Sequence, residues 1–260
     1  MDKLRVIFAF VQFVAFALTL VYACVTVNEP RGRFPVYKPK MLWNNGTRTH
    51  FMEEYGAWDL RWLVMVFFLL SWVGQTVVIW LDDWVAISAR YIEYSLSASV
   101  MLVAIALTCG IADVYTLVVL AACMFATNML GLGAHIALGV EERVGAWTLF
   151  VAGSVVLAAA YAMVFWSFMV AIDAAPDFTL KPLIKAIVAS QMALFCCFAA
   201  VQLLQLAYDL SAATAARAYD VLSVVCKLLL GLLIMIPVIN NQWNDLRAIN
   251  GTFVEDPKIA

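Results

Sequence analysis

Apolar residues fill seven long stretches of the chain, at about 4–27, 60–81, 85–108, 114–138, 145–171, 182–208 and 218–241, while charged and turn-forming residues collect between them. A hydrocarbon core about 30 Å thick is crossed by about 20 apolar residues in helical form, and every stretch reaches that length. The pattern predicts an all-α membrane protein, a seven-helix bundle forming one domain over residues 1–260. Trp58 and Trp62 open the second stretch, Trp80 and Trp84 bracket its far end, and Trp243 follows the seventh. Indole rings favour those interfacial depths. The first stretch is longer than a signal-peptide core and lacks a small-residue cleavage site before NEPRGRFP, so it is expected to remain as helix one. One connection is long: residues 28–57 carry Pro30, Pro35, Pro39, Gly32, Gly46 and several β-formers. A short two-stranded hairpin is predicted there, because a connection of that length usually has structure of its own.

Composition agrees with the pattern. Hydrophobic residues make up 65% of the 260 and charged residues only 13%, and the mean hydropathy is +0.92. The formal net charge of −2 comes without any block of like charge, so nothing points to nucleic acid. The expected surroundings are membrane lipid. Cys24, Cys109, Cys123, Cys196, Cys197 and Cys226 all lie inside or at the ends of apolar stretches, without metal-like spacing, and read as reduced packing residues. Enzyme motifs are missing: there is no HExxH and no P-loop, and GLGAHI (131–136) lacks the third glycine of a dinucleotide fingerprint. The chain is read as not an enzyme.

Charge does not settle which way the bundle faces. Lys3, Arg5, Arg90, Arg143 and Arg217 fall on the amino-terminal side. Arg31, Arg33, Lys38, Lys40, Arg48, Arg61, Lys181, Lys185, Arg247 and Lys258 fall on the other, which the positive-inside rule would make cytoplasmic. Against this, the sequons Asn45-Gly46-Thr47 and Asn250-Gly251-Thr252 both lie on that more basic side, as they would if it were extracellular or lumenal.

Few ionisable groups lie deep in the apolar stretches. Lys227 sits within DVLSVVCKLLLGLLIMIPV (220–238) and Glu93 within helix three, with Asp220 and Arg90 shallower and His135 near the end of helix four. An ammonium at mid-bilayer costs about 2.5–3.5 kcal/mol on insertion scales, so such residues are functional candidates when a partner can be named. Glu93 is that partner. Counted from the same face of the membrane, the two lie at roughly 12 and 15 Å depth at 1.5 Å per residue. The plain reading is a structural ion pair. The sharper one makes Lys227 a desolvated amine that condenses with an aldehyde, with Glu93 as counterion to the resulting cation. Ser223, four residues before Lys227, and Ser97, four after Glu93, share a face with their charged neighbours. Each is as well suited to bonding its own helix backbone. Asp220, seven residues before Lys227, is either a second acid or a residue that reaches water.

At RYIEYSLSASVM (90–101), CGIAD (109–113), AAVQLLQ (199–205) and RAYDVLSVVCK (217–227) the chain resembles the heliorhodopsins, a branch of the retinal proteins. The resemblance implies a rhodopsin-like bundle with all-trans retinal on Lys227 as a protonated Schiff base and Glu93 as counterion. It places Ser223, Ser97 and Tyr94 at the cofactor and matches Arg90 and Gln12 to the adjoining polar residues, a network to which Gln75 and Asp220 of this chain are also assigned. It also implies a cytoplasmic amino terminus, an extracellular first loop with strands, and a homodimer, which decides the orientation in favour of the sequons. The chain departs from the family where two histidines common there align with Ala9 and Gln75. A Pro-Trp aligns with Val156-Leu157 and an asparagine with Cys196. Proton handling is therefore expected to differ, with Asp220 and His135 as candidate acceptors. The expected function is light sensing with a slow photocycle and an unknown cytoplasmic partner. A pump needs acids on both sides of Lys227, and after Lys227 and Glu93 the helices offer none until Asp113. A light-gated proton or ion channel is the alternative, and a retinal-free salt-bridged protein the third reading.

Overall fold

A computed structural model describes residues 3–29, 32–44, 47–174, 181–208 and 210–240. Seven helices long and apolar enough to cross a membrane follow one another along the chain. They are α1 (Lys3–Val25), α2 (Leu60–Ile79), α3 (Asp83–Thr108), α4 (Val114–Gly139), α5 (Arg143–Ala174), α6 (Lys181–Tyr208) and α7 (Ala212–Ile239), and the protein is an integral, multi-pass membrane protein. Between α1 and α2 stands an antiparallel hairpin, β1 (Arg33–Asn44) and β2 (Thr47–Asp59). Helix α7 begins at Ala212 rather than 218, because Ser211 caps it by accepting the Thr214 amide. Trp243 and the Asn250 sequon lie outside the described residues, as do Asn45 and Gly46.

The bundle turns inside out the usual rule for a soluble domain. Phe10, Leu18, Val21 and Trp166 are exposed, as side chains facing lipid are, while the polar residues collect inside. Helix α3 is the most enclosed of the seven. From Met101 to Leu107 every residue is buried, against Phe67 and Phe68 of α2, Leu117, Leu120 and Met124 of α4, and Leu230 and Ile234 of α7. Gly231 lets α7 approach α2, since a Cβ there would stand 2.6 Å from Cζ of Phe68.

The hairpin is longer than the short element expected, with strands of 12 and 13 residues. It alternates as a half-buried strand should, Phe34 and Val36 inward, and a register shift between Val36 and Tyr37 bends it. Two anchors hold it to the bundle. Helix α3 ends in a Schellman motif, with Gly110 at φ 87°, Ile111 N–H donating to Ala106 C=O and Gly110 N–H to Leu107 C=O. That turn presents the Ala112 carbonyl to the Tyr37 amide at 2.8 Å.

The second anchor is Arg61, fully buried in the first turn of α2. Its guanidinium meets Asp59 at 2.5 Å, donates to Thr26 Oγ1 at 2.8 Å and to the Glu29 carbonyl at 3.0 Å, and also reaches the Thr26 carbonyl. One planar fork thus gathers the end of α1, the end of β2 and the start of α2. Replacing one partner of such a buried pair typically costs about 3–5 kcal/mol, because the other charge stays buried alone. Arg61→Met is expected to lower the thermal unfolding midpoint in detergent clearly, while Lys40→Met, which removes an exposed surface ion pair with Glu53, leaves it nearly unchanged.

Candidate functional site

The site forms where α2, α3 and α7 meet. Lys227 Nζ lies 2.5 Å from Glu93 Oε1, with the side chains 4% and 5% exposed. Ser71 of α2, fully buried, donates to the same carboxylate oxygen at 2.8 Å and accepts from Lys227 Nζ. The Tyr94 ring lies 5.4 Å from Nζ, within reach of a cation–π attraction. Gly74, one turn along from Ser71, leaves the room that Glu93 fills, for a Cβ at residue 74 would overlap Cβ and Cγ of Glu93. Sequence reasoning missed both Ser71 and Gly74. Their signal was present as small residues three apart in SWVGQ, followed by Gln75 on the same face.

A cavity opens from Lys227 between α3, α4, α5, α6 and α7. Its walls include Met101, Met124, Leu157, Phe195 and Phe198, and the polar edges of Asn128, Thr127 and Gln202. Ser97 and Ser223 both line it, both are buried, and neither hydroxyl has a hydrogen-bond partner among the described residues. Two neighbouring α3 serines do bond backbone: Ser95 donates to the Tyr91 carbonyl, and Ser99 to the carbonyls of Ser95 and Ala121. The backbone-bonding alternative is therefore not the one adopted by Ser97 and Ser223. Buried hydroxyls without partners are costly, and two of them beside an amine, at one end of an aromatic-walled cavity, suit an elongated apolar aldehyde.

On the amino-terminal side of Lys227 the polar network continues. Asp220 is buried at 2% exposure. Its carboxylate lies 3.2 Å from Arg90 and 4.0 Å from Arg5, and the Tyr94 hydroxyl approaches it at 3.4 Å. The reading of Asp220 as a residue that reaches water is thus corrected: helices α1 and α3 each bring an arginine over it, which no count along α7 could show. Gln75 of α2 is buried as well. Gln12 is fully buried, and its amide atoms find no partner among the described residues, so the structure does not join it to the cluster. His135 lines a smaller cavity with Arg90, Tyr91, Tyr94, Gln205 and Tyr219, its ring 6.1 Å from that of Tyr91. Ala9 is buried, Leu157 lines the main cavity, and Cys196 is exposed on the outside of α6. Among the described residues no group of His, Cys, Asp and Glu could hold a metal ion.

Comparison with known proteins bears on this geometry. The family model described as Heliorhodopsin matches residues 2–239. Among solved structures, a cyanorhodopsin from the cyanobacterium Tolypothrix sp. aligns with a TM-score of 0.68 at 13% identity, covering 94% of this chain and 99% of that one. A thermophilic rhodopsin from Rubrobacter xylanophilus aligns at 0.62 and 17% identity, covering 95% and 99%. Halorhodopsin, a light-driven chloride pump, aligns at 0.60 and 15%, covering 96% and 99%. At these identities the likeness is one of fold. No curated protein matches the chain.

Two substitutions test the packing around the pair. Gly74→Ala forces Glu93 or α2 to shift, and overpacking of this kind costs about 1–3 kcal/mol. Ser71→Ala removes one of the two donors to Glu93 Oε1 and leaves Lys227 as the other, at a cost of about 1–3 kcal/mol. Both variants are expected to melt below the parent protein in the same detergent, and an unchanged midpoint for Gly74→Ala would contradict the close approach of α2 to Glu93.

Proposed function

The chain belongs to the heliorhodopsin family of retinal photoreceptors, and from that premise we propose that it is a light sensor in which Lys227 carries all-trans retinal and Glu93 supplies the counter-charge. The observation that carries this reading is the buried Lys227–Glu93–Ser71 cluster at the end of an aromatic-walled cavity. Retinal held there supplies light absorption and a bond isomerisation beside Nζ. The protein does the rest. Glu93 holds a negative charge against the nitrogen and favours its charged form, while Ser71 and the flush packing at Gly74 keep that carboxylate from turning away. Ser97 and Ser223 offer hydroxyls from α3 and α7, and Tyr94 stands between Nζ and Asp220.

The distribution of polar groups favours sensing over pumping. Directional transport calls for proton-exchanging groups on both sides of Nζ. On the amino-terminal side Asp220, Arg90, Arg5 and Tyr94 form a continuous buried network. On the other side Phe67, Leu102, Ile105, Leu230 and Ile234 are each fully buried and close the space between α2, α3 and α7. A chamber with polar groups on one face alone suits a protein that alters its own shape or charge and passes that change to a partner. We place the amino terminus in the cytoplasm, with the polar network facing a cytoplasmic signalling partner, and the hairpin outside, within a homodimer. The reading as a light-gated proton or ion channel draws on the same network, which reaches about halfway across the membrane.

Expression with all-trans retinal is expected to give a visible absorption band that is lost in Lys227→Ala and displaced in Glu93→Gln, where the charge facing the nitrogen is gone. In Glu93→Gln the band is also expected to fade on alkalinisation at a lower pH than in the parent protein. No pigment in the parent protein would leave Lys227–Glu93 as a structural salt bridge. Photocurrents recorded from the pigmented protein decide the rest: none is expected of a sensor, and a steady current dependent on membrane voltage would establish the channel.

A further inference from the structure

Deep within the mainly apolar half of the bundle, Gln191 of α6 is a polar side chain buried without access to water. It stands ten positions after Lys181, roughly 15 Å along the helix. A primary amide at that depth has to find its partners within the protein. Both come from one residue, the immediate neighbour of Lys227. Cys226 Sγ donates to Gln191 Oε1 at 2.9 Å, and Gln191 Nε2 donates to the Cys226 carbonyl at 3.3 Å. The two bonds run in opposite senses and so fix the amide's orientation, for turning it over would set its NH2 against the thiol hydrogen and its oxygen against a carbonyl.

Position gives the pair its interest. Cys226 lines the cavity beside Lys227, and a second donor on its carbonyl ties the α7 backbone next to the residue that bears Nζ. Gln191 and Phe195 lie four apart on one face of α6, and Phe195 is part of the cavity wall. A change of shape in the cavity that pushes on Phe195 therefore acts one turn from the amide. A thiol is a weak donor, so of the two bonds the S–H···O contact is the easier to break.

We propose that Gln191 and Cys226 form a hydrogen-bonded latch between α6 and α7, which positions Lys227 in the dark and opens when the cavity changes shape under light. The first half stands on the geometry alone; the second rests on the photoreceptor reading above. Gln191 is accordingly a positioning residue.

Infrared spectroscopy of the full-length protein tests both halves, because S–H stretching falls in a window with few other protein bands and its frequency rises as the thiol bond weakens. Cys226→Ala identifies the band by its loss. In the dark, with or without retinal, Gln191→Leu is expected to move the Cys226 band to higher frequency. Gln191→Met, which keeps the side-chain length, is expected to do the same and serves if Gln191→Leu does not fold. A band unmoved in these variants would overturn the latch itself. In light-minus-dark spectra of the pigmented protein the Cys226 band is expected to appear, shifted upward in the photoproduct and absent from the Cys226→Ala difference. A dark shift with no light-induced change would overturn the opening while leaving the contact in place. Failure to form any pigment would remove the photoreceptor reading and the light-driven opening together, with the retinal-free dark comparison still deciding the bond.

Discussion

An ammonium and a carboxylate held 2.5 Å apart in the middle of an apolar bundle set the terms for everything around them. Neither charge is tolerable there alone, and a buried pair that loses one member is destabilised by about 3–5 kcal/mol. The pair therefore fixes which faces of α3 and α7 look at each other, and it obliges α2 to cooperate. Ser71 satisfies a carboxylate oxygen, and Gly74 takes no space where Glu93 needs it. On the proposed reading the same pair is chemically useful, since it holds an amine beside the Ser97 and Ser223 hydroxyls at the end of the cavity, where a carbonyl ligand would meet it.

Polarity is distributed unevenly about that pair, and the unevenness is the structural basis of the functional reading. Toward the amino-terminal face lie Asp220, two arginines and Tyr94, linked from helix to helix. Toward the other face the interior is close-packed aliphatic and aromatic side chain, interrupted by the Gln191–Cys226 contact. Beyond it, at the membrane surface, the fully buried Arg61 fastens the hairpin to α1 and α2. A close-packed far side and a polar near side confine any charge movement to one half of the membrane.

Several residues show where reading along the chain runs short. Glu93 and Lys227 were visible because an ionisable residue in an apolar run is rare and expensive, and because helical rise converts position into depth. Ser71 and Gly74 were not, since serine and glycine are common in membrane helices and only a neighbour's side chain gives them meaning. Along the chain, Asp220 reads as either a second acid or a residue reaching water, because its shallow place on α7 says nothing about arginines arriving from α1 and α3. The hairpin was expected from prolines, glycines and β-formers, but its 12- and 13-residue strands depend on pairing and on anchorage at Ala112 and Arg61.

What the sequence by itself determined was the number of membrane-crossing helices, their approximate ends and the identity of the two central charges. Each of these follows from local properties: hydrophobic length against bilayer thickness, and the cost of a charge in hydrocarbon. Tertiary structure alone decided which side chains complete the site, that Ser97 and Ser223 turn to the cavity instead of their own backbone, and that Asp220 is enclosed. Those outcomes depend on which helix faces meet, and lipid, being as apolar as the helices themselves, leaves that choice to close packing and buried polar contacts.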